Sequence, residues 1–125
     1  MNWDKNTSPV GWYFGSYLSR FIEIGAAQND DPERKFRAWE NTVLVQADSL
    51  ESAYVKVERI GKAHGRIYRG GETGVRVRWE YLGVTELLPV YENLDDGVEV
   101  AWTDHPARKL KTLRKWVKNR RDFRQ

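Results

Sequence analysis

The expected fold is α+β: an antiparallel sheet of four to five strands covered on one face by one helix, plus a basic C-terminal helix, in the order β-β-α-β-β-β-α. Three features of the sequence carry this. Residues 39–65, WENTVLVQADSLESAYVKVERIGKAHG, pass from a two-residue alternation directly into a helical one. Residues 10–24 place apolar side chains on both parities, as a strand covered on both faces does. Residues 75–81 alternate Val75, Val77, Trp79 and Tyr81 with Arg76, Arg78 and Glu80, the pattern of a half-exposed strand. A helix with an apolar stripe has to lie on another element, and these strands provide one.

Taken in order, residues 1–9 are polar, end in Pro9 and read as a flexible arm. Residues 10–104 read as a single α+β domain. Its first strand spans Val10–Ile24, with Trp12, Phe14, Leu18, Ile22 and Ile24 on one parity and Tyr13, Tyr17 and Phe21 on the other. Gly15 marks either a bulge or a close backbone approach. Residues 25–33 are a turn-rich loop, and a second strand, from about Lys35 to Ala47, returns antiparallel. Within it Trp39, Val43 and Val45 share a face opposite Thr42 and Leu44.

The helix over 49–64 is expected to start at an Asp48/Glu51 capping box. Leu50, Ala53, Tyr54, Val57, Ile60, Gly61 and His64 form its apolar stripe, and Gly65 its stop. Residues 65–74, with four glycines, read as a mobile connector rather than a phosphate nest, since no strand and no Gly-x-x-x-x-Gly-Lys pattern accompanies them. The 75–81 strand meets a bulge at Gly83, and Pro89 places the following stretch at an edge or a break. Leu94–Gly97 signals a hairpin turn before a last short strand at Val98–Trp102. Asp104 is the expected cap of a basic helix over 105–125, with Leu110, Leu113 and Val117 as a narrow docking stripe.

Charge is unevenly placed. Residues 1–105 carry 12 basic and 17 acidic side chains, a net −5; residues 106–125 carry nine and one, a net +8, and the sum is the chain's +3. There is no cysteine, which excludes disulfides and thiolate metal sites and fits a reducing cytoplasm. The start, MNWDKNTSPV, lacks the apolar run of a secretory signal, and no stretch approaches the ~20 apolar residues of a bilayer span. A cytoplasmic protein without membrane contact is expected.

Chemistry-bearing residues are sparse. The two histidines are His64, with no carboxylate at ligand spacing, and His105, expected exposed in the first turn of the last helix, so no metal and no cofactor is expected, and His64 reads as a hydrogen-bonded core residue. Glu80, Asp95, Asp96, Glu99 and Asp104 crowd one region, but turn, cap and strand roles account for them. With no nucleophile–base pair, no catalytic residue is assigned. The candidate partner- or phosphate-binding residues are Arg108, Lys111, Lys115, Lys118 and Arg121 on the basic segment, and Arg76, Arg78 and Trp79 as a basic–aromatic strip.

The sequence of pieces resembles a small bacterial family, the domain of unknown function 4288. Trp12-Tyr13, Glu40 before VLVQA, the capped helix with Ala53, VRWEYLGVTEL at 77–87 and LDDGVEV at 94–100 carry the likeness, over about residues 11–103. The resemblance implies the fold and carries no catalytic residue; the basic segment lies outside it.

These observations lead to a non-catalytic binding protein whose partner is a protein, in the manner of an immunity or regulatory factor. Nucleic-acid binding through the basic helix is the alternative, and an unrecognised hydrolase the third reading.

Overall fold

The computed structural model describes residues 4–123. Among these the strands are β1 (Trp12–Glu23), β2 (Ala38–Gln46), β3 (Tyr68–Gly70) and β4 (Val75–Pro89). The helices are α1 (Leu50–Ala63) and α2 (Leu110–Trp116), followed by a 3₁₀ turn at Arg120–Phe123. The sheet is antiparallel at every pairing, in the order β2-β1-β4-β3. The α+β class therefore stands.

β1 is an inner strand, as its two-sided apolar pattern requires. Its odd-numbered residues Tyr13 and Tyr17 form the core with Val45 of β2 and Ala53 and Val57 of α1. Gly15 lies between the two tyrosines and is a close approach, not a bulge. A Cβ there would overlap Val57, whose Cβ and Cγ1 would be 3.3 Å away and whose Cγ2 would be nearer still. Gly61 plays the same part from the helix side, where a Cβ would press on the Tyr81 ring at 2.6 Å. Both glycines let α1 sit close over β1 and β4. The two core tyrosines keep their hydroxyls partnered, because a buried orphan hydroxyl costs about 1–3 kcal/mol. Tyr13 accepts from the Ser8 N–H at 3.0 Å, and Tyr17 is hydrogen-bonded to His64 Nδ1.

Several elements differ from expectation, each for a local reason. The cap of α1 is Ser49, which accepts from the Ser52 N–H at 3.1 Å, so the Asp48/Glu51 box does not form. The helix closes at His64, whose N–H bonds Ile60 O. Gly65 has no left-handed backbone; it is buried, and a Cβ there would lie 3.0 Å from Trp79 O. His64 itself is exposed rather than core, as is Tyr54 at the edge of the stripe. The glycine-rich connector is a hairpin: β3 pairs with Val75–Val77, and Gly71 and Gly74 take φ of 70° and 66° to make the turn.

β4 runs unbroken to Pro89 rather than dividing in two. It absorbs two bulges, at Leu82 and Thr85, where β1 steps from Ser19 to Leu18 and from Tyr17 to Ser16. Gly83 lies between them and is paired with Leu18. Pro89 tolerates the last position, where it meets Tyr13. Val98–Trp102 is not a strand, so the 94–97 turn, with Gly97 at φ 80°, closes no hairpin. The final helix begins at Leu110 with Lys109 as its cap residue and no capping side chain, not at Asp104. Among the described residues its stripe is undocked: Leu110, Leu113 and Val117 are all exposed, and α2 packs against no other helix or strand. Of the arm expected over residues 1–9, residues 1–3 lie outside the described residues, and the described part is pinned at Ser8. The buried Ser8 Oγ donates to Val90 O at 2.5 Å and accepts from the N–H groups of Val10 and Trp12.

Candidate interaction surface

α1 covers only part of its sheet face. Its last turns lie over Tyr17 and Tyr81, and the sheet continues beyond them. On the uncovered part, register sets Phe21 opposite Trp79 across β1 and β4, with ring centroids 5.4 Å apart. Trp39, opposite Ser19 on β2, reaches Trp79 at 4.8 Å and an interplanar angle of 31°. Ser19, a small buried side chain, leaves room for the two indoles to meet over β1. Trp39 nevertheless remains 53% exposed. Sequence parity places it with Val43 and Val45, but the helix ends before reaching it, so its apolar face is left to solvent. Such ring pairs are worth about 0.5–1.5 kcal/mol beyond their burial, which favours this orientation of the exposed indole.

The basic–aromatic strip is not one surface. The pleat of β4 turns Arg76 and Arg78 away from Trp79, and Arg78 pairs with Ile22 while Trp79 pairs with Phe21. Arg76 is exposed; Arg78 is half-buried, with its Nε enclosed and unpartnered among the described residues. The tail residues Arg108, Lys111, Lys115, Lys118 and Arg121 are all exposed and are not brought to this strip. Trp39 was missed as a site residue. Its signal, an indole at the start of a strand whose covering helix is 14 residues long, is recoverable only once the helix is laid on the sheet.

The opposite sheet face carries a groove of about 410 Å³ lined by Phe14, Ser16, Glu40, Thr42, Glu86 and Trp102, with Ser16 and Thr42 hydroxyls bonded at 2.8 Å. At the other end of that face Arg20 is clamped by Glu80 at 2.8 Å and by Asn29 O, and stacks on Phe36 at 4.5 Å. Glu80 is therefore engaged structurally. The Asp95 carboxylate accepts the Asp96 N–H at 2.7 Å within the turn. Asp104 and Glu99 are exposed.

Two groups titrate away from their ordinary values. Burial, with Glu58 and Tyr54 nearby, pushes the Tyr81 phenol up; its hydroxyl has no hydrogen-bond partner among the described residues. The Asn6 N–H and Thr7 hydroxyl hold the Asp4 carboxyl below the usual range. Among the described residues no group of three or more His, Cys, Asp or Glu could hold a metal ion, and no helix is long and apolar enough to cross a membrane.

No curated protein and no solved structure matches the chain. A family model described as "Domain of unknown function (DUF4288)" matches residues 12–102, which run from the first residue of β1 through the segment beside the groove, and leaves α2 outside. The chain belongs to the DUF4288 family.

Proposed function

We propose that the protein is a non-catalytic binding module for another protein, an immunity or regulatory factor, and that Trp39, backed by Trp79 and Phe21, is its anchor. The supporting observation is the half-exposed Trp39 packed against Trp79, with ring centroids 4.8 Å apart. Tryptophan is over-represented among the few interface residues that dominate binding energy, and a preorganised ring loses little side-chain freedom when a partner covers it. The experiment is affinity capture from the source cells with full-length protein and with Trp39→Ala, followed by reconstitution from two purified components. The reading expects one stoichiometric complex that survives moderate salt and is lost with Trp39→Ala. A complex that forms equally with Trp39→Ala would reject this anchor.

A second reading rests on a separate observation. Arg108, Lys111, Lys115, Lys118 and Arg121 are exposed on a segment that packs against no other element, which favours a basic arm that engages the phosphates of a nucleic acid. Its test is the salt response. If about five of these cations touch phosphate, log K should fall against log salt with a slope of about −4 to −5 on duplex DNA.

A further inference from the structure

The two margins of the sheet are built differently. In the order β2-β1-β4-β3, β3 pairs with β4 only over Val75–Val77, and beyond that pairing β4 carries its bulges at Leu82 and Thr85. Bulges bend and interrupt an edge and so hinder the docking of another strand. β2, the other margin, pairs with β1 in one uninterrupted register along its whole length, AWENTVLVQ. It holds no proline and no lysine, and Glu40 is its single charge. The devices that guard an edge are absent from it.

Register decides which backbone groups of β2 are free. Ala47 N–H bonds Gly11 O and Phe21 N–H bonds Arg37 O, so the residues at both ends of the pairing turn toward β1. Along an antiparallel ladder this direction alternates residue by residue. The odd-numbered residues of β2 therefore bond to β1, while Ala38, Glu40, Thr42 and Leu44 point their N–H and C=O groups outward, about 6.8 Å apart. Among the described residues none of these outward groups has a hydrogen-bond partner. Lys56 of α1 donates to Gln46 O and closes only that end.

We infer that β2 takes its partner by strand addition: an extended segment of another protein pairs along the outer edge of Ala38–Gln46. This rests on the reading of the protein as a binding module and names the chemistry of the partner. A row of donors and acceptors at this repeat is matched by an extended backbone and not by a helix. The side chains set the pattern of the segment. On the α1 side of the sheet Trp39 is 53% exposed and Val43 half-buried, so the residues that meet them are apolar. On the other side Leu44 is 43% exposed, and Glu40 makes no ion pair among the described residues. The segment is therefore apolar on both faces, with one Lys or Arg opposite Glu40, where opposite charges directly across a strand pair attract. A second copy does not supply this pattern. Full antiparallel pairing of two β2 strands has its two-fold at Thr42, which sets Glu40 opposite Leu44 and Trp39 opposite Val45, a residue that α1 already covers. Pairing β2 of one copy with β4 of the next meets the two bulges.

The experiment selects a random-peptide library, displayed on phage, on the full-length protein, and then follows amide exchange by NMR with synthetic copies of the selected peptides. The expected peptides are apolar with one Lys or Arg and no proline in the paired stretch. At saturation the amides of Glu40, Thr42 and Leu44 should exchange about tenfold or more slowly, while those of Asn41 and Val43, already bonded to β1, change little. Leu44→Pro removes one outward N–H and spares the bonds to β1, so it should keep its fold and lose the peptides. N-methylation of the peptide amides that face β2 should abolish binding and methylation of the alternate set should not, a contrast that depends on no protein variant. Glu40→Lys should weaken the cation-bearing peptides by about twofold to fivefold. An empty selection, or peptides that leave the outward amides exchanging and tolerate methylation of either set, overturns the inference. So does a free protein that is dimeric with these amides already protected, which would put a second copy on the edge. Trp39→Ala separates the two readings. Peptides that protect the edge and bind Trp39→Ala unchanged keep strand addition and reject the anchor; peptides lost with Trp39→Ala that leave the edge amides exchanging keep the anchor and reject strand addition.

Discussion

Gly15→Ala is the most direct probe of how the helix meets the sheet. The added methyl would overlap Val57, a fully buried side chain of α1, whose Cβ and Cγ1 would stand 3.3 Å away and whose Cγ2 would be closer. Val57 is held from both sides by the tyrosine core, so relief requires moving α1 away from β1 or forcing Val57 off its rotamer. Overpacking of this kind costs about 1–3 kcal/mol. For a domain of this size each kcal/mol lowers the melting temperature by about 4 °C, giving a drop of about 4–12 °C. The assay is urea unfolding followed by tryptophan fluorescence on four proteins: wild type, Gly15→Ala, Val57→Ala and the double variant. Val57→Ala alone should cost about 1–3 kcal/mol through the cavity it leaves. The double variant should be clearly more stable than the sum of the single losses implies, because the new methyl occupies the space the valine vacates. Strict additivity, or a Gly15→Ala protein as stable as wild type, would refute the close approach of α1 to β1.

Other expectations follow from single contacts. Ser8→Ala removes a hydroxyl that serves Val90 O, Val10 N and Trp12 N from a buried position, and should cost about 1–3 kcal/mol in chemical denaturation. Lys56→Asp changes an exposed side chain and should cost less than about 1 kcal/mol, whereas Val57→Asp buries an unpaired carboxylate and should abolish cooperative unfolding. The Tyr81 phenol titrates higher folded than unfolded, so the unfolded chain loses its proton first and stability falls as pH rises above about 10. Tyr81→Phe should remove that part of the alkaline loss, read as a smaller change in urea midpoint between about pH 9 and about pH 11. Changing Lys111, Lys115 and Lys118 to Glu should leave the melting temperature within about 2 °C of wild type, since α2 packs on no other element.

The sequence read most clearly where burial repeats. Tyr13, Tyr17, Val45, Ala53 and Val57 fall on the expected parities and helical spacing, and they are the core. It read poorly where long-range pairing decides. Tyr68–Gly70 has no strand pattern of its own and is a strand because Val75–Val77 pairs with it. Val98 and Val100 alternate correctly, yet no neighbouring strand takes them up. The bulge expected at Gly83 is two bulges flanking it, at Leu82 and Thr85, and β4 stays continuous because the strand can shed an unpaired residue at each step. At the helix start, Asp48 and Ser49 are both competent caps, and the geometry at Ser49 selects between them. Trp39 shows the same limit for the site: its parity is that of a core residue, and only the length of α1 decides that it is exposed.

The reading of this protein as a binding module anchored on Trp39 is tested most directly by titrating its reconstituted partner into three proteins: wild type, Trp39→Ala, and the Lys111/Lys115/Lys118→Glu variant. A dominant anchor predicts that Trp39→Ala weakens the complex by about 30-fold or more, equivalent to about 2 kcal/mol, while the charge variant alters mainly the association rate and its salt dependence. Unchanged affinity in Trp39→Ala, with binding abolished by the charge reversal, would contradict it and place the function on the basic segment.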